Sequence, residues 1–263
     1  YQLKEIHLAA CRKDKPDPEE LAKRLFKREL TVQYETFLGA SSDYASILGT
    51  KGLSVYRQLA EKEWRKLPEL KPGESRADYS DNRFRITRMM ENLADGPDSL
   101  ETLVIIKSKD LSRAYHFLEI AQLYKSAGKR DDALAWAEKG LKAFPKNTDS
   151  RLREFLADEY QLRNRHDEAM ALIWAEFAER YNLERYKKLK IHAERAKTWT
   201  AWREKAIAFI RQGIADSKKA ARKDAWSRPR DHSLLVEIFL WEKDAESAWI
   251  EAQTGGCYDS LWH

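Results

Sequence analysis

Cysteine is scarce in this chain. Cys11 and Cys257 are the only two thiols, far apart and in no C-x-x-C pair, which excludes a disulfide framework and fits a reducing compartment. Glycine and proline are sparse as well, at ten and seven. So little glycine leaves no backbone for a phosphate-cradling loop, and neither G-x-S-x-G nor H-E-x-x-H occurs. Long apolar runs are missing too. The opening residues YQLKEIHLAACRKD break every apolar stretch with charge, so they read as neither signal peptide nor membrane span, and the cytoplasm is the default location.

What remains is a helix-former's composition, with 43% apolar and 35% charged residues. Apolar residues recur at spacings of three and four, as in Leu3, Ile6, Ala10 and Leu21, Leu25, Phe26, predicting about fourteen helices and no strand. Pro18 with Glu19 and Glu20, then Asp98, then Asp231, mark helix starts. Gly49, Gly73, Gly96, Gly128 and Pro145 mark stops. Short links between helices favour antiparallel neighbours. Two polar stretches stand apart, 68–79 and 216–232.

One stretch carries a repeat. Residues 113–147 supply Phe117, Ile120, Ala121 and Tyr124 on a first helix, a turn at Gly128, then Ala133, Ala137 and Gly140 on a second helix before Pro145. Small residues let two helices cross closely, and aromatics fill the space between successive hairpins; this is the tetratricopeptide pattern. Residues 150–181 repeat it with Leu156, Ala157, Tyr160, Ala169 and Ile173, 36 residues on from Ala121 to Ala157. A third pair, 183–214, matches less well because Lys190 stands where a small residue is expected, and a fourth hairpin turns near Lys243 and Asp244. The expectation is an all-α, tetratricopeptide-like α-solenoid of antiparallel hairpins. It comprises N-terminal hairpins over 1–110, repeats over 111–215, a basic loop over 216–232 and a final hairpin over 233–263, in one continuous array.

The runs EIHLAACR, GLKAFPKNTDSRLREFLADEY, ALIWAEFAER, LLVEIFLWEKDAESAW and GGCYDSLW together resemble the helical C-terminal region of bacterial proteins that carry a SWIM zinc finger, and of related bacterial proteins sharing that region. The resemblance spans most of the chain and implies helical structure without a defined activity. The zinc motif of that family, C-x-C then C-x-H, does not occur, so no zinc role passes to this chain. The closing CYDSLWH reads as the start of another helix, as in a piece of a longer protein.

Candidate chemistry is thin. His7 and Cys11 lie four apart and could share a helix face, but two ligands do not make a metal site, and a buried thiol beside a capping or exposed imidazole is the simpler reading. His116, His166, His192, His232 and His263 are scattered. Asp131, Asp132, Asp167 and Glu168 fall at helix starts, where negative charge suits the dipole. Trp136, Trp174, Trp202, Trp241 and Trp249 read as gap-fillers between hairpins. No catalytic residue, metal or cofactor is expected, and the chain reads as non-enzymatic.

Two binding surfaces follow. By the repeat register, first-helix residues Tyr115, Leu118, Gln122 and Lys125, then Arg151, Glu154, Asp158 and Gln161, would line a groove for a protein or peptide, with Lys125 and Arg151 placed to clamp a carboxylate. Between 181 and 230 there are 15 Lys or Arg against 5 Asp or Glu. The cations Arg185, Lys187, Lys188, Arg222 and Lys223, with tryptophans among them, would serve a nucleic-acid phosphate backbone in the alternative reading, or form a solvated face.

Overall fold

A computed structural model describes residues 2–31, 35–75, 82–94, 99–146, 148–222, 230–258 and 261. Among them the chain is helical throughout, with no strand and one isolated parallel bridge between Leu70 and Asp110. It gathers into two compact units, Tyr1–Thr148 and Asp149–His263. The boundary falls between the two best-matched repeats, not at 110 or 215. No described helix is long and apolar enough to cross a membrane.

The first unit holds α1 (Gln2–Asp14), α2 (Pro18–Thr31), a 3-10 turn (Glu35–Phe37), α3 (Ala40–Asp43), α4 (Ala45–Lys66), α5 (Arg83–Leu93), α6 (Ser99–Ser108), α7 (Ala114–Ser126) and α8 (Arg130–Ala143). Asp17 caps α2 by accepting the Glu20 N–H, and Pro18 opens it as its sequence predicts. Gly49 does not end a helix. Its left-handed φ of 54° interrupts α4 near its start, and the chain resumes helix because α4 packs along α2 through Leu48, Gly52, Tyr56 and Ala60. A Cβ on Gly52 would stand 2.7 Å from the Pro18 carbonyl oxygen, a backbone atom that cannot yield. Gly52→Leu should therefore cost about 2–4 kcal/mol, read as a lowered urea midpoint at unchanged helix content.

The second unit holds α9 (Ser150–Leu162), α10 (His166–Glu179), α11 (Leu183–Arg195), α12 (Trp199–Ala221), α13 (Ser233–Trp241) and α14 (Ala245–Gly255). The stretch read as a loop from 216 is helix through Ala221, since Lys and Ala there are good helix formers. Residues 223–229, including Lys223 and Pro229, lie outside the described residues, as do Gly96 and Asp98.

Four hairpins turn alike. Gly128, Asn164, Lys197 and Lys243 each take a left-handed φ, between 57° and 76°. In each, the N–H of the following residue bonds the carbonyl five positions back at 2.9 Å: Lys129 to Tyr124, Arg165 to Tyr160, Thr198 to Ala193 and Asp244 to Phe239. This closes the first helix with a Schellman-type turn. Only the first hairpin spends a glycine on it. Asn tolerates the left-handed region, and the two lysines bear a modest strain there.

Counted from these turn residues, corresponding positions are buried in all four hairpins. Ile120, Leu156, Leu189 and Leu235 are each 0% exposed, and Phe117, Arg153, Tyr186 and His232 form a second such set. The methyl groups of Ala121, Ala133, Ala157 and Ala169 are wholly enclosed. Lys190 sits half-buried at the place of Ala121, with its amine 5.7 Å from the Trp199 ring centre and 5.1 Å from that of Trp241. Tryptophan burial differs from expectation: Trp241 is 36% and Trp249 53% exposed. Cys257 and Tyr258 are not helical, and 259–260 and 262–263 lie outside the described residues.

Candidate functional site

Two adjoining clefts of about 380 and 220 Å³ open on α7 in the first unit. Tyr115 lines both, and Gln122 lines the smaller. Residues of α5 and α6 complete the larger, and Lys107 of α6 the smaller. Phe84 lines the larger cleft and is 56% exposed, an apolar ring at a site rimmed with charge.

Those charges are matched. Lys107 donates to Glu91 at 2.7 Å and to Glu119 at 3.3 Å. Burial works against its ammonium, yet these acids outweigh it and hold the amine above its usual range. Asp110 stands 3.2 Å from His116 Nδ1 and accepts from the Ser112 hydroxyl and N–H. Burial opposes its charge, but the nearby His116 ring and the two bonds from Ser112 keep its carboxyl far below the usual carboxylate range. Lys109 lies 4.0 Å from the Trp64 ring centre, and burial lowers its amine. The result is an open surface on which Glu91, Glu119 and Asp110 each meet a partner and one aromatic is exposed.

The remaining predicted groove residues are placed as follows. Leu118 and Gln161 are buried, not groove-lining. Lys125 is half-buried beside the smaller cleft's residues on α7. Arg151, in the second unit, commits Nε and Nη2 to the carboxylate of Asp149, the α9 cap, at 2.9 and 2.7 Å. Glu154 accepts from Lys188 at 2.7 Å and Asp158 from Arg195 at 2.9 Å, so both acids join α9 to α11. The clamp expected of Lys125 with Arg151 draws on two different units.

The basic patch is largely paired. Arg185 lies 3.4 Å from Glu176 and donates to the Arg180 carbonyl at 2.7 Å. Lys187 pairs with Glu184, and Lys188 with Glu154. Arg222 is exposed at the end of α12. Lys223 is outside the described residues. His7 and Cys11 do share a face of α1, with Sγ 3.7 Å from Nδ1, but the same Nδ1 is 2.8 Å from the Tyr44 hydroxyl. Among the described residues no three His, Cys, Asp or Glu side chains group as metal ligands.

Nothing in the local sequence of Phe84, Lys107 and His192 distinguishes them from ordinary helix positions. His192 is 4% exposed, with Nδ1 lacking a hydrogen-bond partner among the described residues and Nε2 4.0 Å from Asp158. At this distance from the turn residue the other hairpins place Leu123, Glu159 and Ile238. Burial, helped by the charges of Arg195 and Lys188, holds its imidazole below the usual value. A lowered folded pKa means stability present above about pH 6.5 and lost as pH falls through the folded value. His192→Leu should therefore reduce the loss of stability between about pH 7.5 and 5.5, measured by paired thermal melts.

Comparison with models of known families, with curated proteins and with solved structures finds no match to this chain.

Proposed function

We propose that this chain is a non-enzymatic helical-repeat scaffold of tetratricopeptide-like hairpins that binds a protein or peptide along its first-helix face. The observation that carries the reading is the pair of open clefts on α7, where Tyr115 and Gln122 stand with exposed Phe84. The four identical hairpin turns and the enclosed alanines at the helix crossings support the repeat reading. An exposed aromatic beside matched charges suits an extended or helical peptide that inserts one apolar side chain and bonds the rim. The resemblance to the helical region of SWIM-finger proteins fits a scaffold that tethers a separate zinc-binding part in a longer chain.

Selection of a displayed library of linear peptides tests this. A consensus should emerge on the wild-type protein, and its affinity should fall about thirtyfold for Phe84→Ala with Tyr115→Ala, typical of removing central aromatic anchors. Failure to enrich any sequence, or equal binding to the double variant, would sink the reading. Nucleic acid is the weaker partner because Arg185, Lys187 and Lys188 already face acids. A salt-sensitive shift of nucleic acid, lost on charge reversal at Lys187, Lys188 and Arg222, would replace the peptide reading.

A further inference from the structure

We propose that the cleft between α12 and the α13–α14 hairpin is a binding site for a small aromatic anion, its ring system lying between the helices and its acidic group meeting Lys218 and Arg211. The neighbouring seam of the same unit shows what such a space accepts. Trp202 and Phe209 of α12 each pack against Trp174 of α10 with ring centroids 5.4 Å apart. Lys205 lies 4.1 and 4.2 Å from the Trp174 and Trp202 ring centres. Counted from the turn residues Lys197 and Lys243, the places of Trp202 and Phe209 are taken in α14 by Ala248 and Gly255.

Those two rings are therefore missing from the next seam. Clefts of about 720 and 330 Å³ open there, with Arg211 and Ala215 in the walls of both. Ile207 and Phe239 supply apolar wall to the larger, and Ile214 to the smaller. The His232 ring occupies the space above Gly255, where a Cβ would collide with it.

The larger cleft carries Arg203 and Arg211 against Glu204 and Asp244, whereas in the smaller one the cations Arg211 and Lys218 face a single acid, Glu251. Glu251, the acid of the smaller cleft, accepts from Arg211 Nε at 3.1 Å and Nη2 at 2.5 Å, and stands 2.7 Å from His232 Nδ1. With both oxygens engaged it is neutralised. Lys218 has its amine 3.3 Å from His232 Nε2 and no carboxylate within ion-pair distance among the described residues. Arg211 is 57% exposed at its side chain and has Nη1 without a partner among the described residues. A buried-ring ligand with a carboxylate or sulfonate would satisfy both donors, and charge-assisted bonds of that kind are the strong ones.

The probe is 8-anilinonaphthalene-1-sulfonate, titrated into the folded chain and followed by fluorescence, with the uncharged N-phenyl-1-naphthylamine as partner. Saturable one-to-one binding is expected, weaker by about tenfold for Lys218→Gln and for the uncharged probe. Ala215→Trp, which refills the seam, should abolish it. Lys219→Gln, which changes a cation outside the cleft, should leave it unchanged. Circular dichroism melts confirm that each variant is folded. Wild-type affinity in folded Lys218→Gln and Ala215→Trp, or equal affinity for the uncharged probe, overturns the proposal.

Discussion

Glu29→Ala is expected to destabilise the first unit by about 3–5 kcal/mol, because it strips the acceptor from three donors, two of them wholly buried. Glu29 on α2 is 3% exposed and Tyr56 on α4 is wholly buried. The Tyr56 hydroxyl donates to Oε2 at 2.5 Å, the Gly39 N–H to Oε1 at 2.8 Å and the Ala40 N–H to Oε2 at 3.3 Å. One carboxylate thus fixes α2, α4 and the start of α3. Burial pushes its pKa up, against the pull of those three bonds and the Lys4 charge. A raised folded pKa means that its contribution is full below about pH 4.3 and lost as pH rises through the folded value. Glu29→Gln cannot titrate, and its amide must face a donor. The wild type should therefore gain on Glu29→Gln as pH falls from 7 toward 4, in urea unfolding at each pH. A constant difference would refute the assignment, and a loss under 1 kcal/mol for the alanine variant would show that water replaces the carboxylate.

Glu242→Ala should cost the second unit about 2–4 kcal/mol by the same logic. Glu242 caps α13 and accepts from the Tyr186 hydroxyl of α11 at 2.8 Å and from Arg203 of α12, Nη2 to Oε2, at 2.6 Å. Its side chain is 10% exposed and that of Arg203 34%. Removing it orphans a buried hydroxyl and a half-buried cation together. Tyr186→Phe in the same chain should recover part of the loss, since the orphaned hydroxyl goes with it. Additive losses in this double-mutant cycle would show that Tyr186 and Glu242 do not act as a unit.

These carboxylates also show where sequence reasoning stops. Glu29 and Glu242 look like any other acid in a chain rich in acids. Their importance comes from partners 27 and 56 residues away, which no local pattern announces. The burial of Ala121, Ala133, Ala157 and Ala169 is legible in the sequence because close helix crossing admits only small side chains. The third hairpin was harder to place, since Lys190 takes the alanine's position and spreads its stem toward Trp199 and Trp241.

The turns divide the same way. Gly128 was readable from its residue type, whereas Asn164, Lys197 and Lys243 adopt the same backbone without a glycine to signal it. Helical spacing puts Tyr115 and Gln122 on one face of α7, and both line clefts there. Leu118 of α7 and Gln161 of α9 fall on the first-helix face by spacing yet are buried, because spacing gives a helix face but not what packs on it. Apolar periodicity and composition by themselves determined that the chain is helical and roughly where each helix lies, because these are local properties of 3.6-residue geometry. Only the tertiary structure decided the two units, the pairing of Lys188 with Glu154 and of Arg195 with Asp158, and the open seam beside α12. Each of these depends on which distant side chain arrives to fill a space or meet a charge.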